Sequence, residues 1–329
     1  MQERYLKYNK ELVKRFVSDY RLPIVMLQEK YFFYFLNLYQ EKFQSLDKWI
    51  KLWNMIDKEF DGNEVKFLDY YYSTRDNIIT TIEKSDAFQS FNTKDMSEYT
   101  ITDKPNVTSN NIYNCENIGK CFLSIDLKKA NFQALKYADS NIVLNADTYE
   151  EFIGRFTELE YIKESKYSRQ VIFGKCNPKR HMTVEKYLTN KVWKLYQNYW
   201  FDDCNIVSIS NDEIIIETKC ELDNEYLLSE RTYKIEKTIK NELGLEVRAE
   251  YFQLFGYQLE SKDTGESRNT FFEKRNLINC KSDLICVPAP YHALVYKLFN
   301  NIPLEEPDYH FVYEGIDCRF MEEFKIKKL

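Results

Sequence analysis

Apolar residues recur at three- and four-residue spacing through Leu12, Phe16, Val17 and Tyr20. The pattern resumes through Tyr31, Phe35, Leu38, Phe43, Leu46, Ile50, Leu52 and Ile56. That period lays them along one face of a helix. Leu22-Pro23 interrupts it and Asp61-Gly62 ends it, as residues that punctuate helices do. A weaker helical stretch covers about 64–90. Residues 103–111 (DKPNVTSNN) are polar and aperiodic, and read as the linker out of an N-terminal helical domain, residues 1–111.

The pattern then changes. Residues 121–126 (CFLSID) form a short apolar run ending in an acid, which suits a buried strand. Residues 127–138 suit a helix, and 148–168 suit further, charge-rich helix. Thr183 to Tyr199 is amphipathic, with Val184, Leu188, Val192, Leu195 and Tyr199 on one side. Asn205 to Ser210 and Glu213 to Thr218 read as strands joined at Asn211-Asp212, a hairpin. Residues 229–243 read as a helix capped by Ser229 and stopped at Gly244. Leu245 to Leu259 reads as a strand, turned by Asp263-Thr264-Gly265 into a return strand near 269–275. With the two consecutive helical stretches counted as one crossover, the order is βαββαβ, an α+β, ferredoxin-like sheet. Its central strands are expected to be 121–126 and 205–210, which brings Asp126 beside Asp212 across 86 residues of chain.

Composition narrows the classes. Hydrophobic residues are 44% and charged residues 30% of 329, enough for a sizeable core and too apolar for wholesale disorder. The 8 glycines are too sparse for a dinucleotide-binding or Walker A loop. A net charge of −6 argues against a wholly basic nucleic-acid coat. The opening MQERYLKYNKELVKRF has no apolar signal core, and the apolar run Tyr31 to Leu36 is too short to span a bilayer. A cytoplasmic protein with no membrane partner is the expectation. Cys115/Cys121 and Cys280/Cys286 are CX5C pairs, wider than usual zinc spacings and without paired histidines, and are expected to be buried free thiols. His181, His292 and His310 are isolated.

Two carboxylates at neighbouring strand ends repel unless a cation neutralises them. Mg²⁺ or Mn²⁺ takes such oxygens together with substrate phosphates, and two such ions serve phosphoryl transfer. Asp126 and Asp212, with Glu213 beside the latter, are the candidate ligands. Positive charge for a triphosphate is supplied by residues 161–194, whose nine cations and two acids leave +7. Tyr161, Tyr167, Phe173 and Tyr187 interleave this block and could stack on bases.

These segments carry a resemblance. FLSIDLKKANFQAL resembles motif A of palm-domain polymerases, SRQVIFGKCNPKR resembles a worn B-family motif B, and IVSISNDEIIIE resembles motif C. Their order is most similar to that of small protein-primed B-family DNA polymerases, over roughly 120–260. The resemblance implies a palm over 112–275, a basic helical fingers-like insertion at about 145–182 and a thumb-like or docking segment over 276–329. It implies metal binding by Asp126 and Asp212, with Glu213 replacing in part the Asp that the family places where Ser210 stands. Arg169, Lys175, Lys179 and Arg180 would face the triphosphate. Asn131 falls where the family has a bulky aromatic excluding the ribose 2′-hydroxyl, with Phe132 next to it, so ribonucleotides are expected to be tolerated. The implied activity is a metal-dependent nucleotidyltransferase acting on nucleoside triphosphates with a DNA or RNA primer and template. The N-terminal helices could dock a protein partner. The alternatives are a degenerate palm serving as a nucleic-acid-binding scaffold, and a nucleotide cyclase or oligonucleotide synthase.

Overall fold

The computed structural model describes residues 3–329 except 104, 106, 108–110, 200–204 and 219–224. Parts of the 103–111 linker therefore lie outside the described residues.

The N-terminal apolar periodicity becomes helices α1 (Lys10–Asp19), α2 (Glu29–Leu38), α3 (Gln40–Phe43), α4 (Ser45–Phe60), α5 (Glu64–Lys84) and α6 (Asp86–Thr93). Asn9, Asn63 and Ser85 cap α1, α5 and α6 through their side-chain oxygens, satisfying backbone N–H groups that a helix start leaves open. Their apolar stripes meet in an aromatic core in which Trp49 contacts Phe16 and Phe32, each at 5.0 Å between ring centroids.

Strand β1 (Cys121–Leu127) follows, then α7 (Ala130–Ala138), α8 (Tyr149–Gly154), α9 (Glu160–Glu164), α10 (Lys166–Lys175) and α11 (Pro178–Tyr199). The hairpin β2 (Asn205–Ile209) and β3 (Glu213–Thr218) leads to α12 (Glu225–Leu243) and β4 (Val247–Ser261). Helix α12 begins four residues before Ser229, which lies inside the helix instead of capping it. The chain ends with β5 (Ser267–Asn276), β6 (Ser282–Ile285), α13 (His292–Phe299), β7 (His310–Tyr313), β8 (Ile316–Arg319) and β9 (Phe324–Lys328).

The sheet is antiparallel, with order β2-β3-β1-β4-β5-β6 and β9 also paired to β4. The neighbour of β1 is thus 213–218 and not 205–210, a correction to the expected central pair. The crossover delivers β2 one strand away from β1, and the tight hairpin folds β3 back into the gap, where Ile214, Ile215 and Ile216 are buried in succession.

Alternation along the strands gives the sheet two different faces. Leu123, Ile125, Leu127, Ile214, Ile216, Val247, Ala249 and Tyr251 point to the helices. There they join a buried cluster running from Tyr5 to Ala293, which unites the N-terminal helices with the sheet. The opposite face carries Phe122, Ile215, Phe252, Leu254 and Phe272 under Ile112. Farther along that face come Ser124, Asp126, Glu213, Arg248 and Glu250. No helix among the described residues is long and apolar enough to cross a membrane.

Candidate active site

The register sets Asp126 opposite Glu213 on one side and Arg248 on the other. The Leu127 N–H donates to the Asp212 carbonyl at 2.8 Å. Asp126 and Glu213 are therefore the closer, non-hydrogen-bonded kind of pair, with Cβ atoms about 5 Å apart on the same face. Glu213, which sequence reasoning ranked behind Asp212, is the direct cross-strand partner. Its carboxylate is held from one residue pair away, because the Ser124 hydroxyl donates to Glu213 Oε1 at 2.5 Å.

Asp212 sits in the hairpin turn beside them. The Ser210 hydroxyl accepts from the Glu213 N–H at 3.0 Å and from the Asp212 N–H at 3.3 Å, and it meets Asp212 Oδ1 at 3.1 Å. Ser210 thus organises the turn that presents both acids.

The electrostatics follow from this crowding. Burial, then the Glu213 charge, push the Asp126 carboxyl up to about 6, with Asp212 adding to the rise; Arg248 and Lys166 oppose it. The Arg248 guanidinium reaches Asp126 at 3.9 Å, too long to neutralise it fully.

Lys166 and Arg169 stand on the first turn of α10 and act on Asp126's surroundings. Burial, reinforced by Arg21 and Arg169, lowers the Lys166 ammonium below its usual range. Burial likewise lowers Arg169, with Arg21 adding to the effect. Arg21 follows α1 in the left-handed region, at φ 50°. None of Arg21, Lys166 and Arg169 forms an ion pair among the described residues. Arg169 lies over the Tyr149 ring at 5.5 Å, and its Nε is buried without a hydrogen-bond partner.

One buried carboxylate ties these cations together. Asp19, at the end of α1, accepts from the hydroxyls of Tyr71 at 2.8 Å, Tyr161 at 2.8 Å and Ser165 at 2.7 Å, and pairs with Arg15 at 3.2 Å. Ser165 is the N-cap of α10, accepting from the Ser168 N–H at 2.9 Å. Asp19 therefore joins α1, which Arg21 follows, to the helix that begins at Lys166.

The other sequence candidates lie elsewhere. Lys175 and Lys179 are exposed. Arg180 donates to the Lys94 carbonyl and rests on Phe91. Phe132 is buried among Tyr149, Phe152 and Phe173. Asn131 is half-buried, its side-chain oxygen accepting from the Phe132 N–H at 2.9 Å. Sequence reasoning missed Arg21, Arg248 and Asp19; the signal for Arg248 was its strand register with Asp126, and no local pattern marks the other two.

A separate cavity of 320 Å³ opens beyond the end of β1, between α7 and the start of β4. Three of its four lysines are already paired, Lys129 with Glu150, Lys136 with Asp147 and Lys240 with Glu246.

The cysteines meet expectation in part. Cys115, Cys280 and Cys286 are free thiols but exposed instead of buried, and Cys121 is disulfide-bonded. Among the described residues no group of three His, Cys, Asp or Glu is placed to hold a metal ion. A hard cation at Asp126 and Glu213 would draw its remaining oxygens from water and phosphate, as Mg²⁺ ordinarily does.

No protein-family model matches the chain, and no curated protein or solved structure matches it.

Proposed function

We propose that this chain is a metal-dependent nucleotidyltransferase built on a ferredoxin-like palm. The strand order β2-β3-β1-β4, with helical crossovers after β1 and β3, supports the palm reading. The observation that carries the function is the meeting of unlike charges around the end of β1: Asp126 and Glu213 beside Arg248 on one sheet face, with Asp212 in the adjoining turn, and Lys166, Arg169 and Arg21 as electrostatic neighbours from α10 and the segment after α1.

In this reading a 3′-hydroxyl attacks the α-phosphorus of a nucleoside triphosphate. The bond to the β,γ-phosphates breaks and pyrophosphate leaves. Asp126 and Glu213 are the residues that would hold Mg²⁺ or Mn²⁺, with Asp212 adding negative charge beside them. The acids fit that task because burial and the Glu213 charge make the Asp126 carboxylate costly to ionise, and Arg248 and Lys166 oppose this only in part. The bound ions would neutralise phosphate charge and activate the attacking oxygen. Arg169, Lys166 and Arg21 supply fixed positive charge for the β- and γ-phosphates, and Tyr149 supports the Arg169 guanidinium plane. Such positioning and charge stabilisation account for most of the catalysis in phosphoryl transfer. Asn131 leaves its side-chain NH₂ as a donor, which suits a ribose hydroxyl.

The test is incubation with Mg²⁺ or Mn²⁺, labelled ribo- or deoxyribonucleoside triphosphates, and primed, unprimed or absent templates. Template-dependent incorporation, abolished in Asp126→Asn, is the expected result. Unchanged turnover in Asp126→Asn sinks the site assignment, and strict rejection of ribonucleotides sinks the role given to Asn131.

Ser210 favours a second reading, because it shapes the turn where the resembling family places a carboxylate. A palm that binds nucleic acid as a scaffold would show salt-sensitive binding without incorporation.

A further inference from the structure

Arg21 faces two ways. It belongs to the cation group near Asp126, and it also lines a 240 Å³ chamber between the N-terminal helices and the C-terminal segment. The chamber walls are mainly apolar, with Tyr39, Phe43 and Tyr296 contributing rings. Tyr39 meets Tyr296 at 5.2 Å and Phe43 at 5.7 Å, both edge-on. Tyr39 has a buried hydroxyl with no hydrogen-bond partner among the described residues. His292 lines the same chamber, and burial holds its imidazole neutral, which gives one donor and one acceptor. Past the Lys42–Asp283 ion pair, 3.2 Å long, a wider groove of 790 Å³ shares Lys42, Asp283, Leu284 and Tyr296 with the chamber.

An apolar chamber with a few convergent polar groups is the general form of a small-ligand site. Aromatic walls favour a flat heterocycle. The neutral imidazole can read a hydrogen-bonding edge. Arg21, without an ion pair among the described residues, lies where an attached anion would be neutralised. The volume suits one base unit and no larger group.

We propose that this chamber binds the base of an unpaired nucleotide whose phosphate is held by Arg21, so that a single strand leaving the acidic centre is gripped there and continues along the wider groove. The proposal rests on reading the Arg21, Lys166 and Arg169 group as a phosphate site. It adds a base-binding subsite formed by the segment after α1, Tyr39, α3, β6 and α13, outside the sheet strands that carry the acids.

The experiment measures binding of a fluorescent single-stranded octanucleotide to the full chain in EDTA, against an abasic octamer of the same length. Base–aromatic stacking predicts at least about tenfold tighter binding of the base-containing octamer. Val287 lines the chamber, and Val287→Trp, which fills it, should erase that difference and leave abasic binding unchanged. His292→Ala should reduce it several-fold and serves if the tryptophan variant does not fold. Arg21→Gln should weaken both octamers.

Displacement by adenosine monophosphate at equal nucleotide concentration supports the same chemistry with a free nucleotide as its source; displacement by the octamer alone supports a strand. Equal binding of the two octamers, or a base dependence unaltered in both chamber variants, overturns the proposal. Because no turnover is involved, the outcome is separable from the catalytic reading. Intact incorporation without base dependence removes only the chamber, whereas base dependence with unchanged turnover in Asp126→Asn removes only the catalytic assignment.

Discussion

At the scale of the residue, Asp126 is the most strained charge in the site. Its carboxyl titrates near 6, raised first by burial and then by Glu213, whereas in an unfolded chain it titrates at about 3.9. Between those values the folded form holds more protons than the unfolded one, so stability falls as pH rises through roughly 4 to 6. Asp126→Asn should remove that fall and raise metal-free stability at pH 7.5, by roughly 1 kcal/mol after solvent screening is allowed for. Urea midpoints at pH 4.5 and 7.5 would measure both effects; a midpoint lowered at pH 7.5 contradicts the assigned repulsion. Glu213 offers a second comparison. Being the direct partner of Asp126, it should matter more than Asp212, so Glu213→Gln should cost at least tenfold more turnover than Asp212→Asn. Ser124→Ala, which frees the Glu213 carboxylate from its 2.5 Å donor, should raise the Mg²⁺ concentration for half-maximal turnover several-fold with little effect on folding.

At the scale of the element, α1 and α10 are coupled through one carboxylate. Asp19 is 2% exposed and Arg15 is 7% exposed, so Asp19→Asn leaves a buried guanidinium without its counter-charge. A loss of about 3 kcal/mol is expected, read by denaturant unfolding. Tyr161→Phe removes one of three hydroxyl donors to Asp19 and should cost about 1 kcal/mol. If the coupling also places Lys166 and Arg169, Tyr161→Phe should raise the nucleotide KM while sparing kcat; an unaltered KM would confine Asp19 to a structural role.

The helices and the hairpin were legible because local periodicity and turn residues specify them. The acid at the end of β1 was legible because a carboxylate interrupts an apolar strand there. Asp212 lies beside that acid as expected, but the direct cross-strand partner is Glu213. Chain order alone does not say that β3 fills the gap beside β1, and a change of neighbour moves the direct contact from Asp212 to Glu213. Arg21 and Asp19 were invisible for a different reason: Asp19 is surrounded by Tyr71, Tyr161 and Ser165, up to 146 residues away in the chain, and Arg21 has Lys166 and Arg169 as its charged neighbours.

At the scale of the whole molecule, the protein carries −6 overall yet has Arg21, Lys166, Arg169 and Arg248 as electrostatic neighbours around Asp126. Binding of a single strand there should fall with salt at a log–log slope of about −3, the value for four neutralised phosphates. Arg21→Gln should reduce that slope by about 0.7, and a slope near zero in the unmodified protein would remove the site as a phosphate track.

The four cations come from positions 21, 166, 169 and 248, spread over most of the polypeptide. A ribosome must therefore enter β4 before the last of them exists. Until then the growing chain holds all three acids without the Arg248 counter-charge, and under the proposed function its phosphate site is incomplete until β4 has been made.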